Sequence, residues 1–593
     1  MMSGKTGTAA SRWWPDALAG AMALVIAAPA LSSGYVLSYD AIATPRQWLV
    51  PDALGLGDVA PRAVPADAVV AVLTFVLDGA IVQKALLVGL LILAGAGAWR
   101  LLPSTSTPAR CVAAIAYVWN PWVAERLVIG HWWLLLGYAL LPWAVRLAWR
   151  VVSAGAGWPD LARLCLAVAA GSLVPTAGVL LAVTVTAVVA VEAVAGRRSR
   201  VGAASVVWAW VVQLPWVLPA LVTQGSWVQA SALPGVEAFA IRAENAAGVA
   251  AAALGLGGIW NSEVVPESRL LWTAAAGAAF ALIGAVYGWA PAQRAIGRSR
   301  MAALGGLALL GFLVAALTAT APGRRLLATL VDLAPGAGLL RDGHKWLAWW
   351  SLLLAVLVGF AAERLRVQAA RWGAGAAVVA LALLAPVVVL PDLAWGVAGR
   401  LRPVDYPADY VAVRSLLEVD APGEVLSLPW SAFRAYEWNA GRTSLDPLPR
   451  WLTRPVVVDD ALVVGGSDTP GESRRAAEVG AALASGVRAV EALPPLGVRW
   501  VVVALDTRGP EVPSGFLAGA EQVYAGDSLV LYDVGEGRAP RLWPAGTAAV
   551  VAVDLGLLAV VLGLALALFA RTAARLVRSV STSQAGGSQE PRT

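Results

Sequence analysis

Apolar segments recur along most of the chain, separated by short polar connections. Many approach the length of about 20 residues that an α-helix needs to cross the hydrocarbon core of a bilayer. The pattern therefore predicts a polytopic α-helical membrane protein with about twelve spans. The predicted spans are 16–35, 82–99, 108–124, 131–149, 159–175, 177–195, 203–223, 270–290, 302–320, 345–362, 374–396 and 547–570.

The connection at 398–546 differs from the others in length and in pattern. Strand-like segments such as GVRWVVVALD alternate there with helix-like segments such as ADYVAVRSLLEV. Connections longer than about 15 residues usually have a function or a fold of their own, so this one predicts a small α/β domain. The expected organisation is a membrane domain at 1–397, the α/β domain at 398–546, a last span within 547–578 and a disordered polar tail at 579–593.

Arginine is distributed unevenly between the connections, and this predicts the orientation of the chain. It gathers on alternate connections, which the positive-inside rule places in the cytoplasm. Both termini are then cytoplasmic, and 398–546 lies outside the plasma membrane. The first segment also has the layout of a signal peptide, but the site-like polar residues after it favour an uncleaved helix. The arginines on these connections are Arg100, then Arg146 and Arg150, and those within 196–200, 294–300, 363–372 and 571–578.

Composition supports the membrane assignment and argues against other classes. Of the 593 residues, 59% are hydrophobic and 14% are charged, whereas soluble domains carry about 25% charged residues. The net charge of +6 does not indicate nucleic acid, because no basic patch is interleaved with aromatic residues. Cys111 and Cys165 lie inside apolar segments, which indicates neither a disulfide nor a metal site.

The chain has only two histidines, and His131 and His344 fall at the extracytoplasmic ends of predicted spans. Both have charged neighbours, although the chain otherwise avoids charge. Asp40 follows the first span on the same face. Ionisable groups near the membrane interior are costly and therefore indicate a functional site. The charged neighbours are Glu125 and Arg126 of the first histidine, and Arg341, Asp342 and Lys345 of the second.

These groups suit transfer from an anionic lipid carrier. Arginine and lysine can hold a phosphate, histidine can donate to a departing phosphate oxygen or orient it, and Asp40 can accept the proton of an attacking hydroxyl as general base. The structural alternative is that the cations extend to lipid headgroups and that each histidine satisfies an interfacial hydrogen bond. The predicted donor-phosphate residues are Arg126, His131, Arg341, His344 and Lys345, supported by Glu125 and Asp342.

A second group of candidates lies in the segment 428–452, where aromatic and polar residues are interleaved. Aromatic faces beside polar groups suit stacking on a sugar. Trp430, Tyr436 and Trp438 are therefore candidate contacts to an acceptor. The alternative is that they build the core that the α/β domain needs.

Four stretches carry a resemblance to a known class of proteins: GYVLSYDAIATPRQWL, NPWVAERLVIGHWWLLLGYALLPW, LGLGGIWNSEVVPESRLLW and LLRDGHKWL. With the layout of the chain, they resemble the GT-C superfamily of membrane glycosyltransferases, more narrowly the actinobacterial arabinofuranosyltransferase- and mannosyltransferase-type proteins. The resemblance implies a polyprenyl-phosphate sugar donor and inverting transfer to a cell-envelope glycan or glycolipid outside the membrane. It also implies an aspartate of the first external loop as base, a position matched by Asp40.

One departure from that family leaves the need for a divalent cation open. Family members often carry paired acids in the first external loop, but Asp40 is flanked by Tyr39 and Ala41, and the next acids are Asp52 and Asp58. Two other function classes also stay open, namely a transporter or flippase for lipid-linked glycans and a non-catalytic assembly subunit. A transporter should place ionisable groups at mid-membrane, whereas most predicted spans here have no charge at their middle.

Overall fold

The structure, a computed structural model, describes residues 13–223, 232–419, 422–464, 467–537 and 546–585. Its helices are α1 (Trp14–Ala27), α2 (Ala66–Leu73), α3 (Gly79–Trp99), α4 (Thr107–Val118), α5 (Pro121–Val128), α6 (Trp132–Val151), α7 (Trp158–Gly171), α8 (Pro175–Val194), α9 (Arg200–Val211), α10 (Leu214–Thr223), α11 (Leu233–Ala238), α12 (Gly248–Leu254), α13 (Trp272–Ile296), α14 (Arg298–Ala319), α15 (Ala321–Leu333), α16 (Ala348–Ala369), α17 (Gly375–Val389), α18 (Ala394–Gly399, a left-handed turn), α19 (Ala408–Val419), α20 (Leu448–Trp451), α21 (Arg474–Ala484), α22 (Ala489–Ala492) and α23 (Thr547–Ala585).

The strands belong almost entirely to the C-terminal part of the chain. They are β1 (Tyr35–Val36), β2 (Pro403–Val404), β3 (Glu424–Leu428), β4 (Phe433–Tyr436), β5 (Thr443–Leu445), β6 (Val456–Val457), β7 (Leu462–Val464), β8 (Ser467–Thr469), β9 (Val498–Ala504), β10 (Thr507–Arg508), β11 (Glu521–Ala525) and β12 (Leu529–Asp533). The expected fold class, a multi-span helical protein with a C-terminal region that contains sheets, is therefore confirmed.

The number of spans is smaller than expected. Among the described residues, nine helices are long and apolar enough to cross a membrane, or ten if Gly375–Val389 and Pro391–Gly399 form one span bent by 74°. The expected number of twelve is therefore not confirmed. The two predicted spans that fail are 108–124 and 159–175.

Both failures have a local cause. The segment 108–124 divides because the Asn120 side chain caps a new helix that starts at Pro121, and proline suits a first helical turn but not a helix interior. The two pieces, α4 and α5, have 12 and 8 residues. The segment 159–175 contains α7, whose 14 residues end before the next helix starts at Pro175. At 1.5 Å per residue, 14 residues extend about 21 Å, less than the hydrocarbon thickness.

The predicted disordered tail at 579–593 is also partly helical. No glycine or proline interrupts residues 564–585, and α23 continues to Ala585. The rest of the predicted tail, 586–593, lies outside the described residues, as do residues 1–12.

The most deeply packed span begins beside the second histidine. The segment Gly343–Trp372, which includes α16, is 89% buried over its apolar window. It packs against α4, α13, α14 and α17. A Cβ atom added at Gly288 of α13 would lie 2.0 Å from the Leu357 carbonyl oxygen of α16, so glycine allows this close helix crossing. The middle of α16 consequently packs closely against α13.

The C-terminal region is an α/β sandwich around a five-stranded sheet with the order β11-β12-β9-β3-β6. The strand β3 is parallel to β6 and β9, and the other pairs are antiparallel. Alternate residues of β9 face opposite layers, because Trp500 and Val502 pack with α19 whereas Val501 packs with α21. This is the period of two that side chains follow along a strand.

The first loop of the chain is joined to this C-terminal region by backbone pairing. Strand β1 pairs antiparallel with β2, so Tyr35 lies opposite Val404. Further along, Tyr39 forms a bridge to Ser444 of β5. The loop that carries Asp40 is therefore held between the helix bundle and the sheet region.

The two ends of the bundle differ in charge. Helices α6 and α8 begin beside the first loop and the C-terminal region, on the wall of one large cavity. Their other ends lie beside connections that are rich in arginine. These connections include 197–200 and 298–300. By the positive-inside rule, we expect the C-terminal region outside the cytoplasm.

A reporter experiment tests this orientation. An enzyme reporter that is active only outside the cytoplasm is inserted at Gly486, in an exposed turn of the C-terminal region, or at Gly373, after α16. We expect activity at Gly486 and none at Gly373, because arginine-rich connections stay in the cytoplasm. The reverse pattern would contradict the orientation.

Candidate functional site

The backbone around Asp40 is fixed by the turn that precedes His131. The Asp40 amide donates to the Ile129 carbonyl at 3.1 Å. Gly130 has φ = +83°, and a Cβ atom there would lie 2.1 Å from the Ala41 amide nitrogen. Only glycine combines that φ with so close an approach at little cost. Gly130 thus brings the first loop against the start of α6.

The C-terminal region holds the other side of the same loop. The Tyr39 amide donates to the Thr443 carbonyl at 2.8 Å, and the Leu445 amide donates to the Tyr39 carbonyl at 2.9 Å. The Tyr39 hydroxyl is hydrogen-bonded to the Glu263 carboxylate. Tyr39 itself has φ = 46°, a left-handed conformation that a non-glycine residue keeps only when its surroundings enforce it.

The Asp40 carboxylate forms one strong contact and keeps one oxygen available. Its Oδ2 atom lies 2.9 Å from His131 Nε2, and 39% of its side chain is exposed. Within the described part of the chain, Oδ1 has no hydrogen-bond partner. An incoming hydroxyl could therefore reach Oδ1 while Oδ2 stays bound.

Arg126 determines the protonation of both histidines. Its Nη1 atom lies 2.8 Å from His131 Nδ1, and its Nη2 atom lies 2.8 Å from His344 Nδ1. A guanidinium can only donate, so both Nδ1 atoms must accept, and each neutral ring carries its proton on Nε2. The Nε2–H group of His131 then donates to Asp40. That of His344 points toward the Leu256 carbonyl oxygen at 3.3 Å.

Asp342 completes the surroundings of Arg126. Its two carboxylate oxygens accept from Nη1 and Nη2 at 2.8 and 3.0 Å. The Arg126 side chain is fully buried and that of Asp342 is 6% exposed. The two terminal nitrogens of Arg126 thus donate four hydrogen bonds, all of them to protein atoms. Such a paired, bidentate geometry is what makes a buried charge tolerable.

Two of the expected phosphate-binding residues do not line the cavity. Arg126 and His344 were expected to bind a donor phosphate, but they lie behind the cavity wall, and the terminal nitrogens of Arg126 are already engaged. Glu125 is also fully buried, with Oε2 3.4 Å from His344 Nε2. The physical reason is that α5 packs on all sides, so a position near a span end does not imply contact with solvent.

A cavity of 2260 Å³ lies between the bundle and the C-terminal region. Several of the expected site residues line it together. The wall also carries two arginines that the sequence patterns did not single out. The ionisable wall residues used below are Asp40, His131, Arg341, Asp342, Lys345, Arg62 and Arg242.

The cations on the wall differ in how far they are neutralised. Arg341 and Arg62 share the Glu472 carboxylate, each at 3.0 Å. Lys345 lies 3.8 Å from Asp342, whose carboxylate is already bound to Arg126. Arg242 forms no side-chain ion pair with any described residue. In the sequence, Arg242 is only one more charge in a long connection of a charge-poor chain, which is a weak signal on its own.

Electrostatics keep Asp40 ionised. Burial alone would raise its pKa, but the hydrogen bond from His131, together with the charges of Lys345 and Arg62, holds the pKa of Asp40 below its ordinary value. Burial lowers the pKa of His131, and the charges of Lys345 and Arg126 act in the same direction against the opposing effect of Asp40. A neutral His131 beside an Asp40 carboxylate is therefore the state at neutral pH.

The other acids of the first loop lie on the wall of the same cavity. Asp52 and Asp58 both line it, and burial, followed by the charge of Asp58, raises the pKa of Asp52 to about 6. Among the residues that the structure describes, no group of three or more His, Cys, Asp or Glu side chains could hold a metal ion.

The aromatic candidates separate into two kinds. Trp430 lines the cavity. Tyr436 is fully buried in the domain core, 3.3 Å from Asp446, and Trp438 packs against Tyr436 and Tyr406 with ring centroids 5.0 and 5.2 Å apart. The expected acceptor contact of Tyr436 and Trp438 is not supported by their positions, because both serve the hydrophobic core.

A stability measurement tests the pairing of Arg126. Asp342→Ala leaves a buried guanidinium without its counter-charge, which should cost about 3–5 kcal/mol. The control is Glu491→Ala, which removes an exposed ion pair with Arg488 and should cost less than about 1 kcal/mol. Unfolding of the purified protein in detergent gives both values. Equal, small losses would contradict the structural importance of the buried pair.

Comparison with known proteins identifies the fold. No protein-family model matches the sequence, and no curated protein sequence is significantly similar to it. Among solved structures, the cryo-EM structure of the arabinofuranosyltransferase AftD from Mycobacteria superposes with a TM-score of 0.58 and 18% sequence identity. A point-mutant form of AftD gives 0.55 and 19%.

The extent of this similarity differs for the two chains. The AftD superposition covers 89% of this chain but only 40% of the AftD chain. The present chain thus spans about two fifths of the length of AftD. At this level of identity the likeness concerns the fold alone, and we conclude that the chain shares the fold of the part of AftD that it matches.

Proposed function

We propose that this protein is a membrane glycosyltransferase of the GT-C type. It moves a sugar from a polyprenyl-phosphate donor to a glycan or glycolipid of the cell envelope, on the extracytoplasmic face. The observation that carries the proposal is the Asp40 carboxylate. It is ionised, anchored by His131 through one oxygen and open to a large cavity through the other.

Asp40 acts as the general base. An acceptor hydroxyl gives its proton to Oδ1 as its oxygen attacks the anomeric carbon of the donor sugar. The bond between that carbon and the phosphate oxygen breaks, and its electron pair leaves with the lipid phosphate. Attack from the face opposite to the leaving group inverts the anomeric centre. A base held within hydrogen-bond reach of the hydroxyl is the geometric requirement for this step.

His131 and Arg126 position the base. The imidazole donates to Oδ2 and leaves Oδ1 as the oxygen that accepts the proton. Arg126 holds the imidazole in the tautomer that can donate, since its guanidinium offers only N–H groups to Nδ1. Other catalytic side chains are likewise oriented by a partner residue that does not itself contact the substrate.

The cations on the cavity wall bind the donor phosphate and stabilise the charge that develops on it. Lys345 and Arg341 were expected from sequence, and Arg242 joins them because it faces the cavity without an ion-pair partner among the described residues. Preorganised positive groups at a departing phosphate usually make a large electrostatic contribution to catalysis. Trp430 on the same wall offers a face for a sugar ring.

The decisive substitution is Asp40→Asn, which keeps the size of the side chain and removes its basicity. Transfer from polyprenyl-phosphate sugars to an acceptor should fall about 10²–10⁴-fold, the usual contribution of a positioned base, while donor affinity stays unchanged. The charge-matched control is Asp459→Asn, on the cavity wall but in the C-terminal region, which should keep near-normal transfer. If Asp40→Asn transfers normally, the base is another residue.

A second substitution separates binding from chemistry. Arg242→Gln should weaken donor binding about 10-fold or more, because a hydrogen bond to a charged group contributes about 1.5–3 kcal/mol. The control is Arg325→Gln on the exposed surface of α15, which should bind donor as the wild type does. If no donor in a panel of polyprenyl-phosphate sugars is transferred or hydrolysed, the enzymatic proposal fails, and a transport or assembly role gains support.

A further inference from the structure

A second cavity, of 710 Å³, lies at the opposite end of the helix bundle. Three connections form it, at 152–156, 197–199 and 296–300. Helices α6 and α8, of 20 residues each, run from the wall of the large cavity to this place, a distance of about 30 Å. This is the thickness of a bilayer core, so the second cavity faces the other membrane surface.

The wall of this cavity is strongly positive. It carries four arginines, and one carboxylate lies close to them. Glu192 is fully buried, and its oxygens accept from Arg197 Nη1 and Ser299 Oγ, both at 2.6 Å. Glu192 therefore neutralises Arg197 alone. The four arginines are Arg197, Arg198, Arg298 and Arg300.

The other three guanidiniums have no counter-charge in the described part of the chain. Arg198 and Arg298 are exposed at the rim and form no ion pair there. Arg300 lies over the Trp149 ring, 5.2 Å from its centroid. This cation–π contact holds the guanidinium in place of an ion pair with a carboxylate. Three like charges around one concave surface repel each other unless an anion lies between them.

The surroundings of the cavity favour a lipid as the source of that anion. Apolar side chains are exposed on the helices that descend from its rim, Val207 and Trp210 on α9, and Ile283 and Val286 on α13. Val207 is seven positions from the start of α9, about 10 Å below the rim. A headgroup in the cavity would thus have acyl chains against an apolar surface.

We propose that this pocket binds the phosphate group of an anionic phospholipid from the leaflet opposite to Asp40. Basic pockets between membrane helices on the arginine-rich face suit such headgroups, because each nearby arginine contributes to the attraction. The headgroup would bridge the connections that join α8 to α9 and α13 to α14. Its binding is independent of sugar transfer, which takes place at the other membrane surface.

The test is native mass spectrometry of the full-length protein in detergent with graded phosphatidylglycerol. The double substitution Arg198→Gln/Arg298→Gln should weaken binding of the first lipid about 30-fold, since each arginine contributes about 1 kcal/mol. The charge-matched control, Arg294→Gln/Arg371→Gln, changes arginines on the same face but outside the pocket and should bind as the wild type does. Arg198→Lys/Arg298→Lys should retain most of the affinity.

Three results would overturn the proposal. Equal loss in the test and control pairs would mean that general surface charge attracts the lipid. Equal affinity for phosphatidylcholine would remove the selectivity for an anionic headgroup. Displacement of phosphatidylglycerol by millimolar inorganic phosphate would show that the pocket binds a soluble anion, with no contribution from the apolar surface.

Discussion

A single buried guanidinium organises the site. Arg126 lies with no exposure inside the bundle, and its terminal nitrogens donate to Asp342, His131 and His344. A buried charge is costly unless it is paired and hydrogen-bonded, and the Asp342 carboxylate provides the pairing. The two imidazoles must then stay neutral, because protonation on Nδ1 would place a second positive group against the first. The state of the base, Asp40, follows from this arrangement.

The base also depends on contact between the two parts of the protein. The loop around Asp40 is held by the turn at Gly130 on one side and by β5 on the other. Tyr39 keeps its left-handed conformation while its backbone bonds to Thr443 and Leu445 and its hydroxyl bonds to Glu263. The C-terminal region therefore forms a wall of the cavity and also holds the loop that carries Asp40. The position of a loop near the N-terminus thus depends on strands about 400 residues later in sequence.

Much of this architecture could be predicted from the sequence, because apolar length and arginine distribution are properties of local composition. The proximity of Asp40 and His131 was also predictable, since both lie at the same end of neighbouring spans. The inward direction of Arg126 was not, because α5 has only eight residues and is buried on every side. Arg242 was missed because its importance depends on the lack of a nearby carboxylate, which only the three-dimensional arrangement shows. The predicted spans at 108–124 and 159–175 are not confirmed, because hydropathy does not register a cap at Asn120 or a helix that ends at Gly171.

Arg126 holds His131 in one neutral tautomer, and His131 thereby orients an ionised Asp40. The chain has only two histidines, so ¹⁵N-histidine labelling yields a spectrum with two imidazoles, and a His344→Gln variant assigns them. At neutral pH we expect an unprotonated Nδ1 and a protonated Nε2 for His131. A doubly protonated ring, or a proton on Nδ1, would contradict it.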